Sequence, residues 1–306
     1  MKTQLTAFAL ALCGLFFNAT TQAAAVIYVS NYDGNTIERF DSLGNDLGAF
    51  AAGLQHPTGL AFDGAGNLYV ANQGANTILK FAPDGTSSLF ANSGLDLPSG
   101  LAFDGAGYLY ASNLGSNTIQ KFAPNGTNTL FAAGLESPAG LAFDGSGYLY
   151  AAIVGNSTIQ KFAPNGTGTR FSLSNVPISG PFGLAFDTAG NLYVASVGNS
   201  TICKLDSNGA GSTIWANANL VSPFGLAFDT SGNLYASDYG SNTMWRYTPP
   251  SNTGSTFANT GLNSPGYIAI AEGVPEPTAA VSFLLGLGLL ASRRNRQARA
   301  PKAASV

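Results

Sequence analysis

Apolar and polar positions alternate in one unit that recurs along most of the chain. Each unit reads as four short apolar runs separated by turn residues. In the second unit the runs predict strands at 59–62, 68–72, 77–81 and 87–90. The first pair flanks Asp63-Gly64-Ala65-Gly66-Asn67, where the Asp side chain can accept turn N–H bonds and the glycines can take positive φ. The second pair flanks Pro83-Asp84-Gly85, and Asp-Gly or Asn-Gly between apolar runs is a strong hairpin signal. The second run alternates Leu68 and Val70 with Tyr69 and Ala71, so neither face is polar. A strand apolar on both faces belongs to a sheet covered on both sides.

The period is close to 40 residues. The string GLAFD ends at Asp63, Asp104, Asp144, Asp187 and Asp229, in steps of 41, 40, 43 and 42. A tyrosine on the second run marks each unit, at Tyr28, Tyr69, Tyr110, Tyr150, Tyr193 and Tyr235. Six tyrosines but five GLAFD copies leave the first unit one strand short. Pro265-Gly266-Tyr267-Ile268-Ala269-Ile270-Ala271 aligns with Pro57-Thr58-Gly59-Leu60-Ala61-Phe62-Asp63 and supplies it. Four-stranded sheets at this period, each covered by its neighbours, make a propeller. The expectation is an all-β, six-bladed β-propeller of four-stranded antiparallel blades over 26–273, its N-terminal blade completed by a C-terminal strand.

The two ends differ from the repeat. Lys2, an apolar run over 8–17 and Ala23-Ala24-Ala25 have the order of a secretory signal peptide over 1–25. Cys13 would leave with that leader, so Cys203 would stand alone and no internal disulfide could form. At the other end Val274-Pro275-Glu276-Pro277 precedes an apolar run over 279–291 and the cluster Arg293, Arg294 and Arg296. By the positive-inside rule those arginines, and the tail 297–306, face the cytoplasm.

Charge narrows the partners. Only 9 % of residues are charged, against about 25 % in an average soluble domain. Seven basic and fifteen acidic residues between 26 and 273 leave that stretch at −8, which argues against nucleic acid as a partner.

Two resemblances follow from these residues. P-x-G-L-A-F-D-x-x-G-N-L-Y-V-A followed by T-I-x-K-F resembles the NHL repeat, whose family fold is a propeller. The segment 274–296, with Pro275, Glu276 and Pro277 as its motif, resembles the PEP-CTERM sorting signal of Gram-negative bacteria. That resemblance implies processing by an exosortase-type enzyme, a transient anchor in the inner membrane with the propeller periplasmic, and a destination at the cell surface or in an exopolysaccharide matrix.

Catalytic propellers of the first family include gluconolactonase-like lactonases and streptogramin-type lyases. A zinc site built from several histidines is excluded, because His56 is the chain's one histidine. For a His/Glu pair, only Glu136 lies in a loop equivalent to that of His56. A divalent cation would need oxygen ligands at the central mouth, where Asn72, Asn113 and Asp238 are the candidates. One carboxylate among amides makes a weak cation site, so the leading expectation is no cofactor and no catalytic residue. The GLAFD aspartates read as turn caps. The per-blade cations Arg39, Lys80, Lys121, Lys161, Lys204 and Arg246 read as stems covering apolar surface, their heads meeting a nearby Asp.

The mouth-side loops look more like a binder. They carry Tyr32, His56, Phe182, Phe224 and Tyr239 among Asn, Ser and Gly, a mixture suited to a polysaccharide or protein ligand. Phe182 and Phe224 occupy the variable site of P-x-G, where the other units have Thr58, Ser99, Ala139 and Gly266. Either the two rings fold inward and plug the channel, or they face outward as stacking platforms. The reading carried forward is an exported, non-catalytic binding propeller, with a lactonase- or lyase-like enzyme as the alternative.

Overall fold

The structure is a computed structural model that describes residues 25–171, 178–209 and 212–272. The leader and the motif Pro275, Glu276 and Pro277 lie outside the described residues. So do the apolar run and the basic tail that follow the motif. Among the described residues no helix is long and apolar enough to cross a membrane.

Six four-stranded antiparallel sheets surround a central channel. Blade two is made of Pro57–Phe62, Leu68–Asn72, Thr77–Phe81 and Ser87–Ala91, from the innermost strand outward. Each bound lies within two residues of the strand read from the sequence. Blades three to six repeat the arrangement. Blade one takes its innermost strand, Pro265–Ala271, from the far end of the repeat and pairs it antiparallel to Val26–Asn31. Every blade thus has four strands, and each innermost strand is paired with the second strand of its blade on one side and turns its other edge toward the channel.

The second strand of each blade is buried along its whole length, as its apolar faces require. Its tyrosine packs between blades. In blades one to five the ring sits between two aromatic rings. One comes from the outer strand of its own blade and one from the inner strand of the next. Tyr69, for example, meets Phe90 and Phe103 edge-on at 4.9 and 5.0 Å. Such pairs add about 0.5–1.5 kcal/mol each beyond the area they bury.

The invariant glycine of GLAFD has a steric cause. A Cβ at Gly59, Gly100, Gly140, Gly183 or Gly225 would overlap the carbonyl oxygen of the next blade's inner strand. The glycines therefore set how closely the inner strands approach one another around the channel. The sixth inner strand carries Tyr267 at this position instead.

A second stitch joins the blades on the mouth side. The loop between the second and third strands ends on Asn35, Asn76, Asn117, Ser157, Ser200 or Asn242, all with φ of 52–59°. Asn tolerates this left-handed conformation better than most residues. The side chain of Asn76 then accepts the backbone N–H of Leu97 in blade three at 2.7 Å. Asn35, Asn117 and Asn242 do the same for His56, Ser137 and Ser264.

The conserved charges of the unit are structural. Asp63 accepts the N–H groups of Ala65 and Asn67 at 3.0 and 2.9 Å and lies 3.7 Å from the Lys80 ammonium. Hydrogen bonds from Asn67 hold the Asp63 carboxyl below its ordinary range against the opposing effect of burial, with Lys80 adding to them. Lys121, Lys161 and Lys204 pair in the same way with Asp104, Asp144 and Asp187, at 3.5–3.6 Å. Their heads also lie over tyrosine rings.

Candidate functional site

The inner strand of blades two to six begins with a β-bulge. Between Pro57 and Leu60 the strand gains one residue over its partner, and the same shift recurs at Pro98, Pro138, Pro181 and Pro223. A bulge re-aims the side chain it carries. Here that side chain is the variable residue of P-x-G, and it is turned toward the channel mouth. Small residues at this position are buried: Thr58, Ser99 and Ala139 in blades two to four, and Gly266 in blade one. Phe182 and Phe224 are half-buried.

The asymmetry opens a cavity of about 260 Å³ on the small-residue side. Phe182, Phe224, Tyr239 and Tyr32 wall it, with Thr58, Gln73 and Ser99 supplying polar atoms. The rings form an arc. Phe182 and Phe224 stack at 4.3 Å between centroids, and Tyr239 lies 5.9 Å from Phe224 at the same tilt. Tyr32 follows at 6.4 Å from Tyr239, and His56 stacks on Tyr32 at 4.5 Å. All five aromatic residues singled out in the sequence therefore meet in one sector.

The polar partners fix the arc. The Tyr32 hydroxyl donates to Gln73 Oε1 at 3.1 Å, and Tyr239 donates to Asp33 at 3.4 Å. Burial, with Tyr239 and Asp33 close by, pushes the Tyr32 hydroxyl above its ordinary range, so it stays a protonated donor. His56 Nδ1 lies 3.3 Å from the Tyr32 carbonyl oxygen. It shares no hydrogen bond or ion pair with Glu136 among the described residues.

Sequence reasoning passed over Tyr267. It occupies the slot that holds glycine in the other five blades, is buried, and reaches from blade one to residues of blades three and six. Its hydroxyl lies 3.2 Å from Ser99 Oγ in blade three, and its ring meets Phe224 edge-on at 5.3 Å. Burial raises its hydroxyl pKa well above the ordinary value. The signal was present in the alignment of the closing strand, as one large aromatic in a column of glycines.

Asn72, Asn113 and Asp238 end the second strands of three different blades, and each ties down its own blade's preceding loop. Asn72 accepts the Gln55 N–H at 2.6 Å, and Asn113 accepts that of Asp96 at 3.2 Å. Asp238 is fully buried; its two oxygens accept the N–H groups of Val221 and Ser222 at 2.9 and 2.7 Å. None of the three lines the central cavity. Among the described residues no three His, Cys, Asp or Glu side chains group closely enough to hold a metal ion.

The ring of six blades around a walled mouth defines the chain as a six-bladed β-propeller. Solved structures of the same shape serve quite different ends. The chain superposes on a propeller in a nidogen/laminin complex with a TM-score of 0.73 at 20 % identity, covering 81 % of this chain and 98 % of that one. A catalytically inactive variant of virginiamycin B lyase from Staphylococcus aureus, solved with quinupristin, matches with a TM-score of 0.61 at 15 % identity, over 83 % and 94 % of the two chains. A structural-genomics protein assigned as a gluconolactonase matches at 0.57 and 20 % identity, over 65 % and 77 %. At these identities the likeness is one of fold. No family model and no curated protein matches the sequence.

Proposed function

We propose that the chain is an exported, non-catalytic NHL-like propeller whose central mouth binds a ligand through aromatic faces. In this reading an exosortase-type enzyme processes it at the Pro275-Glu276-Pro277 motif. It then acts at the cell surface or in the exopolysaccharide matrix, where polysaccharide is the ligand.

The observation that carries the reading is the chemistry of the mouth. Its walls hold four aromatic rings, four hydroxyls and an amide, and among the described lining residues no carboxylate, imidazole, amine or thiol. Ring faces with a few placed donors suit the apolar faces and hydroxyls of sugar rings. No carboxylate or imidazole among the lining residues stands beside these hydroxyls to activate one as a nucleophile. The enzyme alternative draws on the fold shared with the lyase and the gluconolactonase. The side chains it would need, Asn72, Asn113 and Asp238, each serve the backbone of a separate loop.

The test is retention on the producer's own polysaccharide. Stacking contributes about 0.5–1.5 kcal/mol per ring, so Phe182→Ala/Phe224→Ala should weaken retention roughly tenfold or more. Because both rings are half-exposed, the melting temperature should stay near that of the parent. Unchanged retention with a lower melting temperature would assign both rings to packing and remove the reading.

A further inference from the structure

The polar side chains of the mouth come from blades two and three, away from Phe182 and Phe224 on blades five and six. The loop after each second strand opens with Tyr32, Gln73, Leu114, Val154, Val197 or Tyr239, so Gln73 is one amide among rings and aliphatic side chains. It lines the cavity and is only 8 % exposed. Its Nε2 lies 3.4 Å from the Pro98 carbonyl oxygen, which also accepts the Thr58 hydroxyl at 2.9 Å. A carbonyl oxygen only accepts, and this fixes the amide with its nitrogen toward Pro98 and Oε1 toward the Tyr32 hydroxyl. The nitrogen carries two hydrogens, and Pro98 takes one. The second N–H has no acceptor among the described residues. A buried donor without a partner is costly, so a ligand that brings an acceptor to it is favoured.

Three further features narrow that ligand. No charged side chain lines the cavity, so a carboxylate or ammonium group would lose its water without gaining a counter-charge. The volume of about 260 Å³ is below the ~300–1,000 Å³ of sites for drug-sized ligands, so the cavity holds one sugar unit rather than a run of chain. Leu114 lines the cavity beside the polar groups, its loop held by the bond from its N–H to the Leu97 carbonyl at 3.1 Å. The bound group must therefore carry an acceptor for Gln73 and an apolar end for Leu114.

We propose that the mouth takes a single 2-acetamido sugar, at the end or on a branch of the polysaccharide. This assignment rests on the mouth being the polysaccharide site. The acetamido carbonyl accepts the free Gln73 N–H, and its methyl lies on Leu114. The sugar ring lies on the aromatic arc, and the Thr58 and Ser99 hydroxyls serve the sugar's own hydroxyls. A plain hexose offers oxygens to Gln73 but nothing to Leu114.

The full chain, titrated with N-acetylglucosamine, glucosamine and glucose, tests the assignment by ligand-observed NMR. N-acetylglucosamine binds at least about tenfold more tightly than the other two, the scale of one hydrogen bond and one buried methyl. Gln73→Glu keeps the acceptor for Tyr32 but sets an oxygen against the acetamido carbonyl. It weakens N-acetylglucosamine binding about tenfold or more. Leu114→Ala, in a half-buried loop, leaves the amide in place and weakens it about threefold. Equal binding of N-acetylglucosamine and glucose, both lost in Phe182→Ala/Phe224→Ala, would keep the mouth as a sugar site and overturn the acetamido assignment. No binding of any of the three, or parent-like N-acetylglucosamine binding by both Gln73→Glu and Leu114→Ala, also overturns it. Retention on the whole polysaccharide then decides the mouth reading separately.

Discussion

A chain ending at Ser264 is expected to lose the propeller's single cooperative unfolding transition. The missing strand, Pro265–Ala271, is buried at every position but Ile270. Its removal uncovers one whole edge of Val26–Asn31, itself buried throughout, and opens that edge onto the channel. Burying each large apolar side chain is worth about 1.5–3 kcal/mol. Tyr267, Ile268, Ile270 and the facing Ile27 and Val29 together reach on the order of 10 kcal/mol, comparable with the stability of a whole domain. Thermal unfolding followed by circular dichroism, with a dye for exposed apolar surface, measures the loss. A truncated chain that melts as sharply and as high as the parent would mean that the ring does not depend on this closure.

The architecture was legible because each blade states it again. One unit could be mistaken for many four-stranded sheets, but six tyrosines in step with five GLAFD strings admit few other folds. The closing strand was readable for the same reason, although it keeps only Pro265, Ala269 and the apolar character of the repeat. Site residues were legible where they broke the pattern, as Phe182 and Phe224 do at the variable position. What the sequence hid was direction. The bulge that turns those rings to the mouth is visible only in the register. Asn72, Asn113 and Asp238 looked like convergent ligands because they share one position in the unit. In space that position points at the loop of its own blade. Tyr267 was hidden differently: it stands in the copy of the motif that departs most from the other five, where one more departure is easily passed over.

Replacing Tyr267 with alanine should join the mouth cavity to the channel beneath it. Five inner strands carry glycine at this level and contribute no side chain, so the Tyr267 ring is the one inner-strand side chain available there to act as a seal. Truncating a large buried aromatic costs about 3–5 kcal/mol, made up of lost burial and the cavity left behind. The neighbouring backbones cannot collapse into the gap, because they already touch one another at the glycines. The cost therefore belongs at the upper end, a fall of roughly 10–15 °C in melting temperature for a domain of this size. Ser99 also loses the hydroxyl 3.2 Å away and is left buried. Tyr267→Phe isolates that part: it keeps the seal and should cost only about 1 kcal/mol. The two variants also separate plug from platform. Phe224 rests edge-on against the Tyr267 ring, so Tyr267→Ala should loosen the arc and weaken retention at the mouth, while Tyr267→Phe leaves retention intact. Equal melting temperatures for Tyr267→Ala and the parent would show that the ring is not the seal. A large fall in stability with retention unchanged would show that the arc is held by Phe182 and Tyr239 alone.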